Sequence, residues 1–163
     1  DAISPVCLPK PRITMKLAVT LALAAAALAT ALPAAAQFQK PEDAVKYRQS
    51  VMTVQNFHLG RIGAMANGRM PFDAKVAQEH AAVLETVTKL AWVGYGPETE
   101  KTKSRAKPEV LMEAAKFKQA QDAMMGEVAK LNAAAKTGNL DQIKAAFGNV
   151  AGSCKACHDA FRE

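Results

Sequence analysis

From residue 37 onward, apolar side chains recur every three or four positions, the period of one face of an α-helix, over four separate stretches. In the first, Ala44, Tyr47, Val51, Val54, His58, Ile62 and Met65 make the predicted inner seam. Pro41 suits a first helical turn, Glu42 and Asp43 face the positive end of the helix dipole, and Gly68 with Pro71 closes the stretch. The second starts at Asp73, a good N-cap, and carries Val76, His80, Val83, Val87 and Leu90 to about Val93. The third opens at Pro108 and Glu109, repeats through Val110, Ala114, Phe117, Gln121, Met124, Val128, Leu131 and Ala135, and stops at Gly138. The fourth opens at Asn139, with Gln142 three residues on as in a capping box, and its seam is Leu140, Ile143, Phe147, Val150, Cys154, Cys157 and Phe161.

Beside that last seam runs a stripe without bulk, Gly148, Gly152, Ala156 and Ala160, which admits either a flat macrocycle or a neighbouring helix at close range. No β-branched run bounded by turns competes with these helices. Two short connections and one longer linker, residues 94–107 with Gly94, Gly96 and Pro97, predict an all-α fold: an antiparallel up-down-up-down four-helix bundle.

The first 36 residues break this pattern. Residues 1–14 have no periodicity, three prolines, and end just before Met15. Lys16, the apolar run Leu17 to Leu32 and the small residues Ala34, Ala35 and Ala36 then read as a secretory signal peptide cleaved after Ala36. The run is short for a membrane span, which needs roughly 20 residues. The expected mature chain is therefore residues 37–163, one domain by size, and exported. Losing one acid (Asp1) and three bases (Lys10, Arg12, Lys16) lowers the formal charge from +6 to +4. That mild surplus, with no basic stretch interleaved with aromatics, excludes a nucleic-acid binder. No nucleophile with a base, paired carboxylate or phosphate-cradling glycine loop is present, so no enzyme is expected. Asp43, Asp73 and Asp141 stand at helix starts, where capping or the dipole explains them.

Leaving out Cys7, the two remaining cysteines stand in Cys154-Lys155-Ala156-Cys157-His158, a C-x-x-C-H sequence and the attachment signature of a c-type haem. On a helix, positions i and i+3 share a face, so both sulfurs can reach haem vinyl groups while His158 turns a ring nitrogen onto the iron. A thioredoxin-like pair would sit beside a βαβ pattern, a structural zinc site would need two further ligands, and a disulfide within one helical turn would be strained. None of these accounts for His158.

Only Asp159 to Glu163 follow the motif, so any sixth ligand must come from an earlier helix. A haem on the last helix of an exported four-helix bundle resembles the cytochrome c′ family. The likeness covers residues 37–163. It is strongest from Gln37 to Ser50 (with KPEDAVKYRQS), from Leu90 to Glu100, and from Ala145 through the haem motif to Arg162. It implies one covalent haem c whose iron is five-coordinate, with Cys154 and Cys157 attaching it and His158 as proximal ligand. Met52 of the first helix would shield the open face, Arg48, beside Gln49, would pair with a propionate, and Arg162 would stand four residues beyond His158 on the same helical face. Trp92 and Phe117 match aromatic positions near the haem, and both also suit plain core packing. The implied function is binding of nitric oxide and carbon monoxide in the periplasm, together with electron exchange with a redox partner, by a homodimer joined through the outer faces of the first two helices. The alternative is a six-coordinate, low-spin electron carrier of the c-556 type with Met52 as sixth ligand. His58 and His80 read as hydrogen-bonded boundary residues, and Met124 and Met125 as gap-filling core.

Overall fold

Pro41, whose ring fixes φ, starts helix α1 (Pro41–Ala66) directly after an extended Lys40, and no side chain caps it. A computed structural model describes residues 37–163; the stretches 1–14 and 15–36, expected to be an upstream segment and a signal peptide, lie outside the described residues. Gly68 ends α1 with φ +68°, a left-handed conformation in which a Cβ would be strained. There the Arg69 N–H reaches back to the Ala64 carbonyl at 2.8 Å. Helix α2 (Ala74–Thr88) has the expected cap, with Asp73 Oδ1 accepting from the Lys75 and Val76 N–H groups at 2.9 and 3.0 Å. It ends five residues before Val93, and the chain continues through 3-10 turns at Ala91–Gly94 and Pro97–Thr99.

The third predicted helix is interrupted. A single turn, α3 (Glu109–Met112), is separated from α4 (Ala114–Lys136) by Glu113, whose φ of −113° and ψ of 44° are not helical. The break keeps both Val110 and Phe117 buried against Phe161 of the last helix, α5 (Leu140–Phe161). Only half of the expected capping box is made at α5. Asn139 Oδ1 accepts from the Asp141 and Gln142 N–H groups at 3.0 Å each, but the Asn139 N–H donates to Thr137 Oγ1, and Gln142 Oε1 accepts from that same hydroxyl. Among the described residues there is no strand, only an isolated antiparallel bridge between Ala106 and Arg162.

The four long helices pack as a bundle around Ile62, Met65, Leu84, Leu131, Ile143 and Val150. Each such side chain, fully buried, contributes about 1.5–3 kcal/mol relative to exposure. Helices α1 and α5 meet closely at Gly63, where a Cβ would lie 2.6 Å from the Phe147 ring.

The predicted face of α2 is displaced by one residue, whereas in α1 Ala44, Val51, Ile62 and Met65 are buried as expected and Tyr47, Val54 and His58 are not. The buried side of α1 includes Arg48 and Gln55, and that of α2 is Ala77, Ala81, Leu84 and Thr88. Val54, Val83 and Leu90, expected inside, are exposed, as are Phe57 and Val93. Alanines let α2 approach its neighbours closely, and the bulkier valines are left outward. The small-residue stripe Gly148, Gly152, Ala156 and Ala160 is also exposed, and no side chain lies within 4 Å of where a Cβ would stand on either glycine. Within the described chain it packs no helix.

Asn139→Ala removes the acceptor for two N–H groups at the start of α5 and is expected to cost about 1 kcal/mol, read as a shift in the denaturant midpoint with unchanged slope.

Candidate functional site

The last two turns of α5 place Cys154 and Cys157 on one side of the helix, both half-buried and both free. Cys154 packs against the main core, whereas Cys157 packs against a second cluster built on Val110, Phe117 and Phe161. Trp92 touches both clusters, and Tyr95 the second. Phe117 is the hub of the aromatic wall, with ring centroids 5.1 Å from Phe161, 4.9 Å from Tyr95 and 6.3 Å from Trp92, all edge-on. Such edge-to-face contacts add about 0.5–1.5 kcal/mol each beyond area burial and hold the wall rigid.

Burial pushes the Cys154 thiol up from its usual pKa, with the Cys157 sulfur adding to the effect, and burial alone raises Cys157. Both are therefore protonated thiols at neutral pH. His158 moves the other way: partial burial of the ring, then the cations of Arg162 and Arg105, lower its pKa, with Asp159 opposing. The ring is thus neutral at pH 7, the form with a nitrogen lone pair free to bind a metal. Beside it lies an open depression of about 450 Å³ lined by Arg105, His158, Asp159, Arg162 and Glu163.

Arg162 is not on the helical face expected of it. It is the residue that leaves α5, extended at φ −136° and ψ 139°, with its N–H bonded to the His158 carbonyl at 3.0 Å. Its charge still reaches His158, and it also works, less than Arg48 does, against the rise that burial gives the Tyr95 phenol.

Arg48 is 3 % exposed on α1. Its Nη1 donates to the Gly94 carbonyl at 2.7 Å and to Thr99 Oγ1 at 3.3 Å, its Nη2 donates to Ser104 Oγ at 3.0 Å, and the guanidinium lies 4.2 Å from the centre of the Tyr95 ring. Burial lowers its pKa, but a guanidinium remains charged, so these acceptors are obligatory. Three of its five donors are used, and two remain. Tyr95 joins this clasp to the wall: burial raises its phenol above the usual value, Arg48 opposes that, and Cys157 adds to it.

One turn beyond Arg48, Met52 is half-buried and belongs to neither apolar cluster. Gln49 is exposed, and its carbonyl accepts from Thr53 Oγ1 at 3.0 Å. The structure thus gathers Arg48, Trp92, Phe117, Cys157 and Arg162 around Tyr95. Gln49 stays outside that group. Tyr95, Thr99, Ser104 and Arg105 are site residues that the sequence reading missed; the only signal was that Tyr95 and Thr99 fall inside the family-like stretch Leu90 to Glu100.

Comparison with known proteins decides what this arrangement belongs to. A family model described as Cytochrome C' matches residues 43–162. The chain belongs to the cytochrome c′ family. It is 52% identical over 128 residues to cytochrome c′ of Rubrivivax gelatinosus, covering 78% of this chain and 99% of the relative. To cytochrome c′ of Alcaligenes xylosoxydans xylosoxydans it is 49% identical over 127 residues, covering 78% and 98%. The crystal structure of the Rubrivivax gelatinosus protein superposes with a TM-score of 0.76 at 52% identity, covering 78% of this chain and all of that one. A ferrous variant of the Alcaligenes xylosoxidans protein with bound NO superposes with a TM-score of 0.74 at 47% identity, covering 78% and 98%.

Cytochromes c′ carry covalent haem c, and the residues present here fit that group. Two free thiols stand one turn apart on the inner side of a helix, and a neutral imidazole follows them. Trp92 Nε1 is buried beside them with no partner, an orphaned donor that an acceptor on a bound group would satisfy.

Arg48→Met keeps the apolar stem but strands the Gly94 carbonyl, while Thr99 Oγ1 still donates to the Gly96 carbonyl and Ser104 Oγ still accepts from the Ala106 N–H. A loss of about 1–3 kcal/mol is expected, with amide exchange accelerated first in residues 94–104.

Proposed function

We propose that this cytochrome c′ works in the periplasm as a binder of small uncharged gases, nitric oxide and carbon monoxide, at a five-coordinate haem iron. The observation that carries the reading is the pair of free, half-buried thiols one turn apart followed by a neutral His158. The NO held by the similar Alcaligenes xylosoxidans protein supports it. Haem c supplies an iron able to take up a diatomic molecule.

This chain's residues do the rest. Cys154 and Cys157 would hold the macrocycle, and His158 would ligate its iron. Met52, half-buried one turn beyond Arg48, would shield the iron without bonding it, and its thioether offers no hydrogen-bond donor. The two unused donors of Arg48 and the free Trp92 Nε1–H serve the carboxylate edge. Arg162 and Arg105 keep His158 in its neutral, ligating form. Phe117 packs the wall, and Gln49 remains on the solvent side of the first helix. The same haem exchanges electrons with an acidic periplasmic partner drawn by the chain's mild positive charge. No turnover chemistry is assigned.

Residues 15–36 serve as the export signal, cut after Ala36, with 1–14 upstream of it and 37–163 as the mature domain. Among the described residues no helix is long and apolar enough to cross a membrane. The exposed Val54, Phe57 and Val83 on α1 and α2 join a second copy of the chain. Their burial would account for bulky side chains left outside while alanines fill the inner face of α2.

The absorption spectrum of the ferrous protein should be that of a high-spin, five-coordinate haem and should change on adding carbon monoxide, in both the wild type and Met52→Leu. A low-spin wild type that becomes high-spin only in Met52→Leu would establish the c-556-type carrier instead. Denaturing acid-acetone should extract haem from the Cys154→Ser/Cys157→Ser double variant and not from the wild type. Light scattering should give a dimer for the wild type and a monomer for Phe57→Glu, with the haem spectrum unchanged.

A further inference from the structure

Two imidazoles face each other across the α1–α2 interface, away from the cysteines. His58 Nδ1 and His80 Nδ1 lie 2.8 Å apart, the ring centroids 5.0 Å apart, with the planes inclined at 57°. A single proton shared between two nitrogen lone pairs accounts for the contact when the site is otherwise empty. The same separation suits a metal. With metal–nitrogen bonds of about 2.0–2.1 Å, two ligands at a right angle stand about 2.9 Å apart, and two at the tetrahedral angle about 3.3 Å. The separation is close to that of a right-angle bite, but nitrogens 2.8 Å apart with ring centroids 5.0 Å apart point nearly at each other, so each ring must turn on its own helix for its lone pair to converge on a metal.

We propose that His58 and His80 form a two-histidine chelate for a divalent cation that favours square-planar coordination by nitrogen, with Cu2+ the strongest candidate. Copper heads the affinity order for such ligands, and the separation of the two nitrogens is the one its right-angle geometry needs. Zinc would have to open the pair by about half an ångström. Both rings are half-buried, so each keeps an open side, and water completes the coordination shell, since no cluster of three or more His, Cys, Asp or Glu occurs among the described residues. Phe57 packs edge-on to both rings, with centroids 5.2 and 6.0 Å away. Burial, the facing His58 and Arg61 all lower the pKa of His80 while Glu79 opposes them, so protons compete weakly at neutral pH. The nearby Arg61 charge also opposes a cation, which keeps the affinity below that of a closed metal site.

The chain has three histidines, and His158 is taken by iron in the holoprotein, so these two are the imidazoles left. The test is calorimetric titration of the ferric holoprotein with Cu2+ at neutral pH, with electron paramagnetic resonance of the product. One Cu2+ per chain is expected, with a copper signal split by two nitrogens. His58→Gln and His80→Gln should each weaken binding by at least about tenfold, the loss already typical of residues that merely support a metal ligand. An unaltered haem absorption spectrum in both variants verifies that the bundle is intact. Absence of saturable binding, affinity undiminished in both variants, or tighter binding of Zn2+ than of Cu2+ would overturn the proposal.

Discussion

A guanidinium cannot shed its charge, so burying one obliges the chain to bring acceptors to it. Arg48 is 3 % exposed, and the acceptors come from Gly94, Thr99 and Ser104, which draws the long connection after α2 down onto α1. That connection carries Trp92 and Tyr95, and their placement completes the wall of Phe117 and Phe161 beside Cys157. The position of the last helix's cysteines relative to the first helix is thus governed by a cation far from both of them in sequence.

The helices were legible because their signals are local. Pro41, Asp73, Gly68 and Gly138 act through their own backbone torsions or the next turn, and each behaves in the structure as its residue type dictates. The inward face was harder to read. Periodicity gives the angle of an apolar stripe but not what covers it, and in α2 the valines lie outside while Ala77, Ala81 and Leu84 lie within. In α1 the buried face contains Arg48 and Gln55, which a count of apolar residues must miss. The interruption at Glu113 was equally invisible, because it answers to the distant Phe161.

The candidate site divides along the same line. Cys154, Cys157 and His158 fall within one turn, so spacing alone places them together. Arg48, Trp92 and Phe117 came from family likeness. Tyr95, Thr99, Ser104 and Arg105 sit on the connection between helices, and only the tertiary structure brings them to α5 and α1. Arg162 was expected on the helix and is instead the residue that leaves it, because its neighbours pair with the segment around Ala106.

That pairing reaches further than the site. The Lys107 N–H donates to the Phe161 carbonyl at 3.0 Å, the Glu163 N–H to the Arg105 carbonyl at 2.9 Å, and Lys107 Nζ to the Asp159 carbonyl at 3.0 Å. Helix ends commonly fray, whereas this one is sewn down on three sides. An affinity tag or fusion partner joined after Glu163 would hang from that seam, and strain on it would be felt within one turn of His158; a reporter joined ahead of the first helix would leave the seam untouched.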